Sequence, residues 1–120
     1  MSLHDVVMMP GARDELRTFP RAVRFEVGYA LYAAQRGGKH PDAKPMQGFI
    51  GASVLEIASP HDGDTYRVIY ALGVPDATTI CVLHAFKKMS HQGVKTPQRH
   101  INLIRSRLAT AKTMRKDHFN

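Results

Sequence analysis

Apolar positions along the chain change period several times, and each change predicts an element. Leu3 to Met8 is short and β-prone, and Pro10-Gly11 ends it. The segment ARDELRTF, from Ala12 to Phe19, reads as one or two helical turns stopped by Pro20. Pro20 then opens a longer helix at a position where its missing N–H costs nothing. Along that helix Val23, Val27, Ala30, Leu31 and Ala34 recur at helical spacing up to Gly37-Gly38, a C-terminal stop. Residues 37–51, with Pro41, Pro45 and glycines near both ends, read as loop. Three strand-like runs follow, Ala52–Ser59, Thr65–Leu72 and Thr78–Phe86, separated by SPHDGD and GVPDA. These separations leave no room for helical crossovers, so the runs form an antiparallel meander.

In the middle run Tyr66, Val68, Tyr70 and Leu72 share one face while Arg67, Ile69 and Ala71 share the other. Both faces are mostly apolar, as in a central strand. Arg67 is costly there unless it bridges an acid such as Glu56 or faces a ligand cleft. Met89 to Lys95 is a polar loop, and Thr96-Pro97 starts the last helix with Thr96 as its N-cap. Ile101, Ile104, Leu108 and Ala111 give that helix a narrow apolar stripe. The order β-α-α-β-β-β-α, with helices segregated from an antiparallel sheet, predicts an α+β fold in a single domain, 1–120, whose residues 112–120 read as a fraying tail.

Length and composition are those of one globular domain: 120 residues, 43% hydrophobic and 22% charged. The apolar runs fall far short of the roughly 20 residues needed to cross a bilayer, which argues against a membrane. The single cysteine, Cys81, lies within an apolar run, reads as a small buried hydrophobe and fits a reducing compartment, so the cytoplasm is expected. Charge changes the picture more. From His84 onward the chain holds nine Lys and Arg against one acid, +8, whereas the first 83 residues hold eight against nine, −1. Such asymmetry points to a polyanionic partner.

Candidate chemistry gathers near the same segment. An antiparallel meander brings Arg67 to the sheet edge where Lys87-Lys88 ends the next strand and the loop with His91 and Lys95 begins. Cations converging there, with Tyr66 or Tyr70 nearby, would hold a phosphodiester and stabilise charge developing on it. An isolated Lys pair is otherwise a solvated strand end. RNA carries its own nucleophile, the 2′-OH, so its cleavage needs an acid, a base and cations. His84, His91 and the tyrosines are candidates for proton transfer, although His84, in phase with Ile80, Val82 and Phe86, reads better as a hydrogen-bonded structural residue. No zinc-ligand spacing, phosphate loop or nucleotide fingerprint is present, and no metal or cofactor is expected.

The runs Val54-Leu55-Glu56-Ile57, Tyr66-Arg67-Val68-Ile69-Tyr70, Phe86-Lys87-Lys88 and Lys95-Thr96-Pro97, in that order and spacing, resemble the HigB-like, phage-derived branch of the RelE/ParE toxin superfamily. The resemblance covers roughly residues 44 to 110. It implies a RelE-like, microbial-RNase-like fold and a toxin that cuts messenger RNA in the ribosomal decoding site, with a small helix-turn-helix antitoxin as partner. Arg67 then corresponds to the family's phosphate-binding strand arginine and Lys88 to the basic residue ending the next strand. Where RelE has basic residues on the first meander strand, this chain has Glu56 and Ala58, which shifts proton transfer to Lys87, Lys88, His91 or the tyrosines, Tyr66 and Tyr70. Asp117-His118-Phe119 resembles an acidic, aromatic and histidine cluster of some HigB toxins. Lys95, Arg99, Arg105, Arg107 and Lys112 would form the surface for ribosomal RNA or antitoxin. Two other readings fit the same residues: a non-catalytic nucleic-acid-binding regulator, and a gyrase inhibitor of the ParE kind.

Overall fold

The computed structural model describes residues 2–49, 53–88 and 96–119. Strand β1 (Asp5–Met8) leads into helix α1 (Pro10–Arg17) and helix α2 (Arg21–Gln35). A short strand β2 (Ala43–Pro45) precedes the meander β3 (Val54–His61), β4 (Asp64–Leu72) and β5 (Thr79–Lys88), and helix α3 (Gln98–Thr113) follows. The α+β organisation and the antiparallel meander are those expected from periodicity, and β4 is central in the order β1-β5-β4-β3-β2.

Four features depart from expectation. The sheet is mixed, because β1 pairs in parallel with β5 from Asp5↔Thr79 to Met8↔Val82. Strand periodicity fixes which face a residue occupies and leaves open which distant strand becomes its neighbour. The segment expected as loop after α2 holds β2, which pairs with β3 and sets Lys44 opposite Glu56. Strand β5 runs through the Lys pair instead of stopping at Phe86. Finally, a bulge at Leu83 shifts the β4–β5 register, with Ile69 opposite His84 but Tyr70 opposite Val82. The bulge places His84 on the face of Phe86, away from Val82 and Ile80, so the expected common phase is broken.

Pro20 and Pro97 stand just outside their helices as N-caps, one position from where each was expected, and neither helix start has a side-chain capping bond. The buried stripe Val23, Val27, Ala30, Leu31 and Ala34 joins α2 to the sheet, and Ile104, Leu108 and Ala111 do so for α3. Cys81 is fully buried, and burial pushes its thiol up to about 12. After α3 the chain turns through a 3-10 segment, Lys116–His118. There Met114 and Phe119 pack against the core, and Lys116 Nζ donates to Asp5 Oδ2 at 2.5 Å. No helix among the described residues is long and apolar enough to cross a membrane.

Candidate functional site

The pleat of β5 decides which cations can act together. Neighbours in a strand point to opposite faces, and Lys88 lies opposite Thr65 while Lys87 lies opposite Tyr66. Lys88 therefore shares the face of Arg67, one diagonal step away. Lys87 points to the other face, where its Nζ lies 3.5 Å from Asp64 Oδ2. Tyr70 is also on that other face, fully buried, with its hydroxyl unpartnered among the described residues and its pKa raised by burial. His91 and Lys95 fall outside the described residues. Of the five candidates for chemistry, the structure brings together Arg67 and Lys88.

Arg67 forms an ion pair with Glu56, a diagonal neighbour on β3, through Nη1 and Oε1. Both lie in a cleft of about 450 Å³ whose other walls are Lys44, Pro45, Met46, Gln47, Thr96 and Ile101, between the sheet face and the first turn of α3. The pair leaves Arg67 Nε buried with no hydrogen-bond partner among the described residues, and Lys88 Nζ is in the same condition. Lys88 is 3% exposed. Burial, then the charge of Arg67, holds its ammonium below the usual lysine range, against a smaller opposing pull from Glu56. Lys44 and Arg67 against Glu56 leave the cleft wall a formal +1, and the buried Lys88 adds a cation on the same sheet face.

A second polar cluster sits beside this one, and here every strong donor has an acceptor. Beyond the end of β1 the edge of β5 is covered by α1, and Glu15 Oε1 accepts from Ala85 N (3.3 Å) and from Arg107 Nη1 (2.8 Å). The same guanidinium nitrogen donates to the carbonyl of the bulged Leu83 at 3.0 Å. His84 Nδ1 lies 3.0 Å from Glu15 Oε1, and its Nε2 lies 2.7 Å from His100 Nδ1. His84 Nδ1 also lies 3.1 Å from Arg107 Nη1, but both hydrogens of that nitrogen go to Glu15 and Leu83 and a carboxylate can only accept, so His84 carries its proton on Nδ1 when neutral. Its Nε2 then accepts from His100 Nδ1–H, leaving the lone pair of His100 on Nε2. Burial pushes the Glu15 carboxyl up, but bonds from His84 and Arg107 outweigh it and the net shift is downward. Burial first, then the charges of His84 and Arg99, pull His100 down to about 4, with Glu15 opposing. The rings of His100 and Phe86 stack at 4.0 Å, and Phe86 is the cross-strand neighbour of Arg67.

Sequence reasoning missed Glu15 and His100. Extending the α3 stripe back four residues from Ile104 would have reached His100; nothing local marks Glu15. Of the expected docking cations, Arg107 is interior and committed to Glu15, whereas Arg99, Arg105 and Lys112 are exposed without an acidic partner among the described residues. Arg105 Nη2 donates to the Gly48 carbonyl at 3.1 Å, and its guanidinium lies over the Phe49 ring. His118, in the C-terminal turn, is exposed, with Phe119 beside it half-buried.

Among curated proteins none matches the chain significantly. A chain of the RelBE2 toxin–antitoxin complex from Mycobacterium tuberculosis is similar in structure, 20% identical, over 75% of this chain and 95% of that one, with a TM-score of 0.47. The model of the phage-derived protein Gp49-like family matches residues 14–109, from the middle of α1 through the meander and most of α3. The chain belongs to that Gp49-like, phage-derived family.

Proposed function

We propose that this protein is the toxin of a toxin–antitoxin pair and that it cleaves messenger RNA in the ribosomal decoding site. The observation that carries the reading is the pair of cationic atoms, Arg67 Nε and Lys88 Nζ, buried on one sheet face and unpartnered among the described residues, with Arg67 in the wall of an open cleft. A buried cation without an acceptor costs stability, and an incoming phosphate oxygen supplies the acceptor. The first turn of α3, which contributes Ile101 to the cleft wall, adds a favourable field for an anion.

In the proposed reaction the RNA 2′-oxygen attacks the adjacent phosphorus as the bond to the 5′-oxygen breaks. The products are a 2′,3′-cyclic phosphate and a 5′-oxygen that takes a proton from water to become the 5′-hydroxyl. Arg67 and Lys88 stabilise the charge that builds on the non-bridging oxygens. We assign removal of the 2′-proton to His100, whose unprotonated Nε2 is set by the Glu15–His84 relay; a bound phosphodiester raises its basicity from the low value of the free protein. The exposed face of Arg99, Arg105 and Lys112 serves as the contact with ribosomal RNA, and an acidic helix-turn-helix antitoxin competes for it. Action on ribosomes places the protein in the cytoplasm.

Ribosomes programmed with a defined message test the reading. Codon-phased cuts with cyclic-phosphate ends, lost in Arg67→Ala, are expected. Intact message, or inhibition of gyrase supercoiling in its place, would contradict it.

A further inference from the structure

Helix α2 carries a second apolar stripe that the core does not use, its one ring-to-ring contact within the described residues being an edge contact of His40 with Tyr29 at 5.8 Å. On the side away from its core residues, Phe25, Tyr29 and Tyr32 are 79%, 63% and 45% exposed. Steps of four and then three residues are those of a seam that packs against another helix. Gly28 sits among them, and a Cβ there would meet nothing within 4 Å. Positions 25, 28, 29 and 32 form the four-residue diamond that receives one side chain of a facing helix, and glycine at one corner leaves that hole open. Glycine is a poor residue for a helix interior, and no crowding within the fold accounts for it.

Charge decides what fits. Arg21, Arg24 and Arg36 flank the stripe and are exposed, with the Arg36 guanidinium 5.8 Å from the Tyr32 ring centroid. The acid of α2, Glu26, is half-buried and accepts from Ser59 Oγ at 3.1 Å. A second copy packed here about a two-fold axis would set arginine against arginine, which is repulsive. A nucleic acid would satisfy the arginines and leave the glycine hole unused. We propose that this face of α2 is the docking surface for an acidic amphipathic helix of another protein, which seats one large apolar side chain among Phe25, Gly28, Tyr29 and Tyr32 and sets carboxylates against the arginines. Ser59 lies opposite Tyr66 on β4, so α2 covers the sheet face turned away from Arg67, and a partner here leaves the cleft open.

The test uses the full chain and a labelled three-heptad peptide with Leu at the seam and Glu at the flanks, read by fluorescence anisotropy. The peptide is expected to bind, more weakly as salt rises, and its counterpart with Lys in place of Glu is not. Gly28→Leu is expected to raise the unfolding temperature while weakening binding by about tenfold or more, and Tyr29→Ala to weaken it with the fold intact. Absence of acidic-peptide binding, or binding unchanged in Gly28→Leu, overturns the proposal. So does a dimer of the free chain, or RNA affinity, that is lost in Gly28→Leu. Cleavage on ribosomes should be unchanged in both variants, which separates failure here from failure of the nuclease reading.

Discussion

Two arginines of this protein each face a glutamate, and they differ in what is left over. Arg107 donates to Glu15 and to the Leu83 carbonyl, and the same carboxylate closes the edge of β5 through Ala85 N and meets His84. Arg67 pairs with Glu56, yet its Nε and the neighbouring Lys88 Nζ stay buried without acceptors among the described residues. A satisfied pair holds elements together, here α1, α3 and β5. A pair with donors to spare holds unused binding capacity at a cost in stability. The contrast teaches that an ion pair around an arginine does not by itself argue against a ligand site; the remaining donors have to be counted.

The comparison breaks most readily at the satisfied side. Glu15→Ala strands the Arg107 guanidinium, the His84 Nδ1–H and the Ala85 N–H together, and should lower stability by about 3 kcal/mol, read from the urea midpoint. A loss below about 1 kcal/mol would mean the hub is not structural. Lys88→Met should act in the opposite direction and raise stability by about 1 kcal/mol, since a buried unpartnered ammonium is replaced by an apolar chain of similar length. Gly11→Ala probes the same hub by crowding: a Cβ there would lie 2.2 Å from Arg107 Nη2, so the guanidinium must shift within its contacts to Glu15. A loss of about 1 kcal/mol is expected despite the better helix propensity of alanine, and a gain would show that the guanidinium shifts freely.

A smaller effect separates the clusters by pH. The unfolded chain protonates His100 near 6.5 and the folded chain only near 4, so between these values the unfolded state binds more protons. Stability should therefore fall as pH drops from 6.5 towards 4, and His100→Gln should flatten that limb. The lowered Glu15 adds loss in the same direction at the acid end. A profile with the same slope in His100→Gln would remove His100 as the cause.

How much of this was legible in the sequence follows from the range of each signal. Strands β3 to β5 are mostly apolar runs of eight to ten residues with turn residues between them, and that local pattern gave the meander, while the pleat gave the Arg67 face. Strand β2 is three residues long and includes Pro45, too short for a period. Parallel pairing of β1 with β5 spans more than 70 residues, which no local pattern encodes. The Leu83 bulge reversed the side assigned to His84, and extension of β5 through Lys88 split a Lys pair that adjacency in sequence made look like one site. Glu15 reaches His84 across 69 residues and had no sequence signature.

The central claim, that Arg67 and Lys88 form the ligand-holding pair, is tested most directly by the rate at which Lys88→Met cleaves message on programmed ribosomes. The account predicts a folded protein whose rate falls about 100-fold or more, equivalent to about 2.7 kcal/mol of transition-state stabilisation. Cleavage at the wild-type rate by the folded variant would contradict it.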